Sequence, residues 1–326
     1  MTCRFIDAER RNHGIATMCR VLRVSRSGFY AWRSRGISER AASDLVLAAR
    51  IAAIHAESDG TCGTPRVHAE LAAQGVRVSR RRVARLMREQ VEGVSRRTRR
   101  RSTTVATDRP AAPDLVGRRF DAATGPDQVW FADITYVPTW EGWLYVALVV
   151  DAWSRRMVGW SMREGLQAEL VVDALGMAAT RRRPGQGAIH HSDRGAQHAS
   201  TIFGRTLAES GLVASMGRKG SALDNAACES AIASFKTEFV HRRSFRSRNA
   251  AREQIFRWIE GWYNARRRHS SLGYLSPADY EELHATATAN GPCGPADPDH
   301  PALDGGAMAG VGTPTDLSAH LSTKVR

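Results

Sequence analysis

The chain has 326 residues, 42% of them apolar and 25% charged, the composition of a globular protein long enough for two or three cores. Its net charge of +14 favours a polyanionic partner and argues against one that is itself basic. The five cysteines (Cys3, Cys19, Cys62, Cys228 and Cys293) form no Cys-x-x-Cys pair, and the longest apolar run, Leu144 to Val150, is too short for a bilayer; zinc-finger, disulfide-framework and membrane classes are excluded, and a cytoplasmic location is expected.

The excess charge is N-terminal. Up to Arg101 there are 22 arginines against nine acids. Residues 1–44 are expected to be a helical segment with a helix-turn-helix rhythm. In "ATMCRVLRVSRSGFYAWRSR" an apolar helix leads to a turn at Arg23 to Ser25 and a second helix with Phe29, Tyr30 and Trp32. Residues 45–95 read as a helix-turn-helix DNA-binding domain of three helices, "LVLAARIAAIHAES", "TPRVHAELAAQG" and "SRRRVARLMREQ". Pro65 suits the first turn of the second helix, Gly75 its stop, and Ser79 the cap of the third. In the third helix Val83, Leu86 and Met87 face inward, while Arg80, Arg81, Arg82 and Arg85 are candidate DNA contacts. A solvated helix of a plain bundle shows the same pattern. Residues 96–122, opening with "RRTRRR", are expected to form a mobile basic linker able to follow a phosphate backbone.

Period-two patterning then begins. "QVWFADITYVP", "GWLYVALVVDAW" and "RMVGWSM" are strands joined by short turns. "QAELVVDALGMAATRRR" is a helix, "AIHHSD" a strand, "STIFGRTLAESG" a helix, "LVASMG" a strand, and "GSALDNAACESAIASFKTEF" a final core helix with Asp224 or Asn225 as cap. The expected class is α/β: a mixed five-stranded sheet covered by helices over residues 123–283. A basic, aromatic helix and a turn complete that stretch. Residues 284–326, rich in Ala, Gly, Pro and Asp, are expected to be disordered.

Three acids occupy positions that can converge: Asp133 within the first strand, Asp193 at the end of the fourth, and Glu229 near the start of the final helix. A carboxylate in a central apolar strand is costly unless it meets a cation or partner. Clustered carboxylates without a thiolate suit Mg²⁺ or Mn²⁺, and two such ions suit phosphoryl transfer. Asp151 is a rival, with a turn residue ahead of "WSR" the preferred reading. His191 shares strand parity with Asp193 and either lines the site or packs; His190 points to the other face. Lys236 by itself reads as a surface lysine. No P-loop, dinucleotide fingerprint, H-E-x-x-H or G-x-S-x-G motif is present.

The blocks "VWFADITYV", "YVALVVDAWSRRMVGW", "HHSDRGAQHAS", "GSALDNAACESAIASFKTE" and "NARRRHSSLGYLSPADY" resemble bacterial insertion-sequence transposases of the IS-three family, the second-reading-frame (OrfB-type) product. The resemblance spans residues 1–283, and 35 residues separate Asp193 from Glu229, as in the D-D-35-E pattern. It implies an RNase H-like integrase core. It also implies that Asp133, Asp193 and Glu229 bind two Mg²⁺ (or Mn²⁺) ions and that Lys236 contacts DNA near the scissile phosphate. His198 stands where the family more often has tyrosine. The implied function is a DNA transposase that cuts element ends and transfers the 3′-OH to target double-stranded DNA. It implies a homo-multimer on DNA, no membrane, and a first-frame protein as partner or fusion, since the chain begins where a second-frame product would. The alternatives are a catalytically silent DNA-binding relic or regulator, and a structure-selective nuclease of the same fold.

Overall fold

A computed structural model describes residues 2–90, 112–117, 123–193, 195–217 and 226–289. The expected cap at Asp224 or Asn225, residues 91–95 of the second helical unit, residues 96–111 and 118–122 of the linker, and the tail from residue 290 lie outside them. Apolar residues at helical spacing give six helices in the first 90 positions. The first three, α1 (Thr2–Glu9), α2 (Ile15–Val21) and α3 (Arg26–Ser34), close around Ile6, Met18, Cys19 and Phe29. The expected turn between α2 and α3 holds Arg23 at φ 53°, and Ser25 caps α3 by accepting from the Gly28 N–H at 3.0 Å.

The next three, α4 (Glu39–Glu57), α5 (Thr64–Ala73) and α6 (Arg80–Gln90), share a core including Leu47, Ile51, Val67, Leu71, Val83 and Leu86. Their first helix starts before the expected boundary at residue 45. Ser38, whose hydroxyl accepts from the Ala41 N–H at 3.2 Å, sets the start rather than the first apolar residue. Gly75, at φ 77°, terminates α5, and Ser79 caps α6 at 3.3 Å from the Arg82 N–H.

The sheet runs β3-β2-β1-β4-β5. Strands β1 (Val129–Thr139), β2 (Gly142–Asp151) and β3 (Met157–Arg163) form an antiparallel meander; β4 (Ile189–Ser192) and β5 (Val213–Met216) add in parallel. Strand β2 is flanked on both sides and covered on both faces, so its sequence is a continuous apolar run rather than an alternation. Strand parity divides the core. Trp130, Ala132, Ala147 and Val149 pack with α7 (Ala168–Arg182) and α8 (Thr201–Glu209). Phe131, Val137, Leu144 and Val146 pack with α9 (Ala226–Glu238) and α10 (Arg248–Phe256).

Gly159 lets α7 press onto β3. A Cβ there would lie 2.3 Å from the Ala174 carbonyl oxygen and 2.7 Å from the Ala178 Cβ. Because the obstruction includes backbone, Gly159→Ala is expected to destabilise the fold by about 1–3 kcal/mol, as over-packing does; urea melts of the two proteins check it.

Two segments, 112–117 and the stretch from residue 277, differ from expectation, and the expected basic, aromatic helix takes a π-helical form in its second half. Residues 112–117, assigned to a mobile linker, lie along the sheet: the Leu115 N–H donates to the Ser215 hydroxyl at 3.0 Å and Val116 is buried. Helix α10 runs on through a π-helical segment, Arg257–Asn264, that buries Trp258, Ile259 and Tyr263. There Asn264 bonds both the N–H and the carbonyl of Met157, at 2.9 and 3.0 Å, closing the outer edge of β3. A last helix, α11 (Pro277–Ala289), runs past the expected order limit at 284. Its Tyr280 and His284 pack on Trp153, and its Glu281 takes Arg156 and Arg182 at 2.6 and 2.8 Å. Polar and aromatic anchors hold it in place of an apolar stripe. No described helix is long and apolar enough to cross a membrane.

Candidate active site

Strands β1 and β4 run parallel with Ala132 beside Ser192 as their last paired rung. Asp133 and Asp193 are the next residue on each. Helix α9 buries Cys228, Ala231 and Phe235 against the same sheet face, and Glu229 stands half-buried at the margin of that stripe. This is why an acid follows so closely on an apolar position in the sequence: the stripe seats the helix and its edge faces the strand ends.

The electrostatics of the three acids are linked. Burial, then the charge of Asp193 and more weakly that of Glu229, pushes the Asp133 carboxyl up to about 7; the Ile134 N–H, 2.7 Å from its Oδ1, opposes the rise. Burial would raise Asp193 too, but His198 and the Gly195 N–H, each 3.1 Å from Oδ1, hold it below its usual value. The Cys228 thiol is raised well above the ordinary range by burial and by all three acids, Asp133, Asp193 and Glu229. It therefore stays a thiol, which leaves the three carboxylates as the anionic donors. Mutually repelling carboxylates of this kind are relieved by a hard divalent cation, so the residues fit Mg²⁺ or Mn²⁺. Among the described residues no three His, Cys, Asp or Glu side chains are already gathered at metal-ligand distance.

Lys236, two turns along α9 from Glu229, is half-buried with its Nζ 4.3 Å from the centre of the Tyr136 ring. Burial lowers its pKa and the charge of Asp133 acts to raise it. It is thus placed on the sheet beside the acids and is not a free surface lysine.

The arginines of α6 divide. Arg82 and Arg85 each sit 2.6 Å from a different oxygen of Asp44, on α4. Three-residue spacing puts them on one face of α6, toward α4, so each is engaged by an acid of the bundle. Arg80 and Arg81 are exposed.

His191 is fully buried, bonded through Nδ1 to the Ser215 hydroxyl at 2.8 Å and set against Phe131: it packs. His190 packs on the other face beside Phe203 and His198, and burial lowers its pKa to about 3. Asp151 accepts from the Ser154 N–H and hydroxyl, both at 2.7 Å, and from the Asp127 N–H at 2.9 Å: it is the turn residue. Two neighbours of the acids were not legible as such. His198 is five residues from Asp193 across a loop, and Tyr136 lies under Lys236; neither spacing carries a signal before the chain is folded.

Asp133 makes the metal-free protein pH-sensitive with a definite sign. Its folded pKa, about 7, exceeds the ordinary 3.8, so the fold is penalised where the unfolded chain is ionised, fully above pH 7 and not below about pH 4. Asp133→Asn is therefore expected to raise the thermal midpoint at pH 8 in EDTA, with the gain fading as pH falls through 7 and gone near 4. Melting curves across that range check the sign.

Comparison with known proteins gives a consistent result. Residues 123–222 and 210–277 each match a model described as an integrase core domain, and residues 42–101 match one described as an HTH-like domain. The chain is 42% identical over 268 residues to an insertion element IS600 uncharacterized 31 kDa protein of Shigella sonnei, covering 82% of this chain and 98% of that one. It is 40% identical over 282 residues to the transposase InsF for insertion sequence IS3A of Escherichia coli K12, covering 85% and 97%. It is 36% identical over 291 residues to a transposase for insertion sequence element IS629 of Shigella sonnei, covering 87% and 97%.

Proposed function

The chain belongs to the IS3-family transposases with an integrase core, and on that premise we propose that Asp133, Asp193 and Glu229 hold the divalent ions for DNA cleavage and strand transfer. Membership makes it a DNA transposase and a polynucleotidyl transferase. The observation that supports the assignment of residues is the shared strand level of Asp133 and Asp193, with Glu229 brought to it by α9. Two bound Mg²⁺ or Mn²⁺ ions would activate the attacking oxygen and neutralise the leaving one.

The chain's own groups supply the rest. His198 and the Gly195 N–H keep Asp193 ionised and fixed in orientation. Lys236 offers a cation beside Asp133 to hold a DNA phosphate, so that the scissile bond is positioned before reaction. No nucleophilic side chain is required, so water makes the cut and the freed 3′-OH makes the transfer. Two ends brought to one target call for more than one copy on the DNA.

The test is strand cleavage and transfer on labelled DNA carrying the element's own ends, in Mg²⁺ and in EDTA. Metal-dependent nicking followed by joining is the expected result. DNA binding with no chemistry, even with the first-frame product added, would favour a silent binding protein instead.

The N-terminal helices account for sequence-independent affinity. Arg80→Ala and Arg81→Ala are each expected to weaken DNA binding and to reduce the slope of log affinity against log salt by about one. Arg82→Ala and Arg85→Ala should instead lower the melting point, because they release α6 from Asp44. Salt titrations read by anisotropy, beside melting curves, separate the pairs.

A further inference from the structure

The two-residue turn between β1 and β2 carries a feature that neither folding nor the metal chemistry uses. Trp140, in the turn itself, is 72% exposed, and Trp143, just inside β2, is 49% exposed. Tyr136 stands across the ladder from Tyr145, two residues along β2 from Trp143, and meets the Trp143 ring edge-on with centroids 4.9 Å apart. A Trp in an exposed turn contributes nothing to a core, where glycine or asparagine is the usual occupant. Two cations flank these rings, and a third, Arg248, braces the turn while paired with Glu164 at 3.2 Å. The Arg246 guanidinium lies 5.7 Å from the centre of the Trp140 ring, Lys236 lies over Tyr136, and the Arg248 Nε donates to the Trp143 carbonyl at 3.2 Å. The one acid of the turn, Glu141, is engaged by the Arg248 N–H at 2.9 Å.

The tip is also held in place. The Trp140 N–H donates to the Phe245 carbonyl at 3.0 Å, and Thr139 bridges to Phe245. The rings are therefore positioned in advance on a braced hairpin, whose strand leads directly to Asp133.

We infer that the Trp140–Trp143–Tyr136 surface is a stacking platform for unpaired bases of the DNA strand that runs to the metal site. The inference rests on the transposase reading for its substrate and goes beyond it in specifying a strand with open base faces. Aromatic rings with flanking cations bind single strands by base stacking and phosphate contact, and a paired base in a duplex offers no free face. At about 3.3 Å per residue along β1, Tyr136 lies roughly 10 Å from Asp133 and Trp140 roughly 23 Å. An unpaired strand covers these distances in a few nucleotides from the cut. The protein would thus stabilise an end that is locally opened.

The experiment is binding of the full chain, in EDTA, to an element end with a seven-nucleotide unpaired flank and to the same end fully paired. Trp140→Ala and Trp143→Ala are expected to weaken the unpaired-flank DNA by about 5- to 150-fold each while leaving the paired end within about twofold. Trp140→Phe should restore most of the loss. Equal losses on both DNAs, or no loss on either, would overturn the proposal, as would a change confined to self-association in sedimentation, which would make the tip a contact between copies. Trp140 is exposed enough that its removal leaves the core intact, so its variant decides the matter if Trp143→Ala melts early. Since no metal is present, a failure of the triad assignment would leave this result unaffected, and the reverse also holds.

Discussion

Glu229→Gln is expected to abolish metal-dependent strand cleavage, by about 10³-fold or more, while affinity for element-end DNA stays within a few fold. The change removes one negative charge and no volume. Glu229 is at the margin of the α9 stripe, so Cys228, Ala231 and Phe235 still seat the helix. What is lost is a charge that would help hold a divalent ion, and metal stabilisation of a phosphoryl-transfer transition state is worth several kcal/mol, each 1.36 kcal/mol being tenfold in rate. Single-turnover nicking of labelled ends checks the rate, and anisotropy in EDTA checks the affinity. Asp151→Asn is the matched control. It removes a buried carboxylate of the same sheet that only closes a turn, so stability should fall and the rate per folded molecule should not. Normal cutting by Glu229→Gln would remove Glu229 from the site.

The second large effect is on stability. Glu238, near the end of α9, takes Arg267 through two bonds of 2.7 Å and Arg66 of α5 at 3.0 Å; Arg267 is 2% exposed and also donates to the Ser234 hydroxyl at 3.0 Å. Burial alone would lower the Arg267 pKa, and the Glu238 bonds and charge outweigh it. Glu238→Ala would leave two guanidinium groups without their carboxylate, one of them fully buried, so a loss of about 3–5 kcal/mol is expected. Guanidinium chloride titration measures it. Restoring the loss in part with Glu238→Leu combined with Arg267→Met would show that the uncompensated charge is the cause, since apolar replacement of a buried pair is often tolerated. A loss below about 1 kcal/mol in Glu238→Ala would show that this ion pair does not bind α5 to α9. The neighbouring pair, Arg268 with Glu70 at 2.6 Å, crosses between the same helical unit and the core.

The comparison of sequence with structure turns on which contacts are local. Helix and strand types followed from periodicity: Val83, Leu86 and Met87 face the bundle core, and Phe131 and Trp130 take opposite faces of the sheet. Asp133 and Asp193 drew notice because a carboxylate in or just after an apolar strand is expensive, and that cost is visible without coordinates. Helix α11 was missed for the converse reason. It is anchored by Tyr280, Glu281 and His284, whose partners Trp153, Arg156 and Arg182 lie over 90 residues away in the chain.

By itself, then, the sequence determined the α/β class, the two helical units ahead of it, the family, and which acids are candidates for the metal. These depend on residue type, period and spacing, which the chain carries in one dimension. Only the tertiary structure decided which charges are spent internally and which remain outward. Arg82 and Arg85 are held by Asp44, Arg267 is buried with Glu238, His198 is turned onto Asp193, and Trp140 is left exposed at a braced tip. Most of those outcomes depend on a partner far away in sequence, and even the short step from Asp193 to His198 is set by the fold, so a charge or a ring acquires its role from the neighbour it meets.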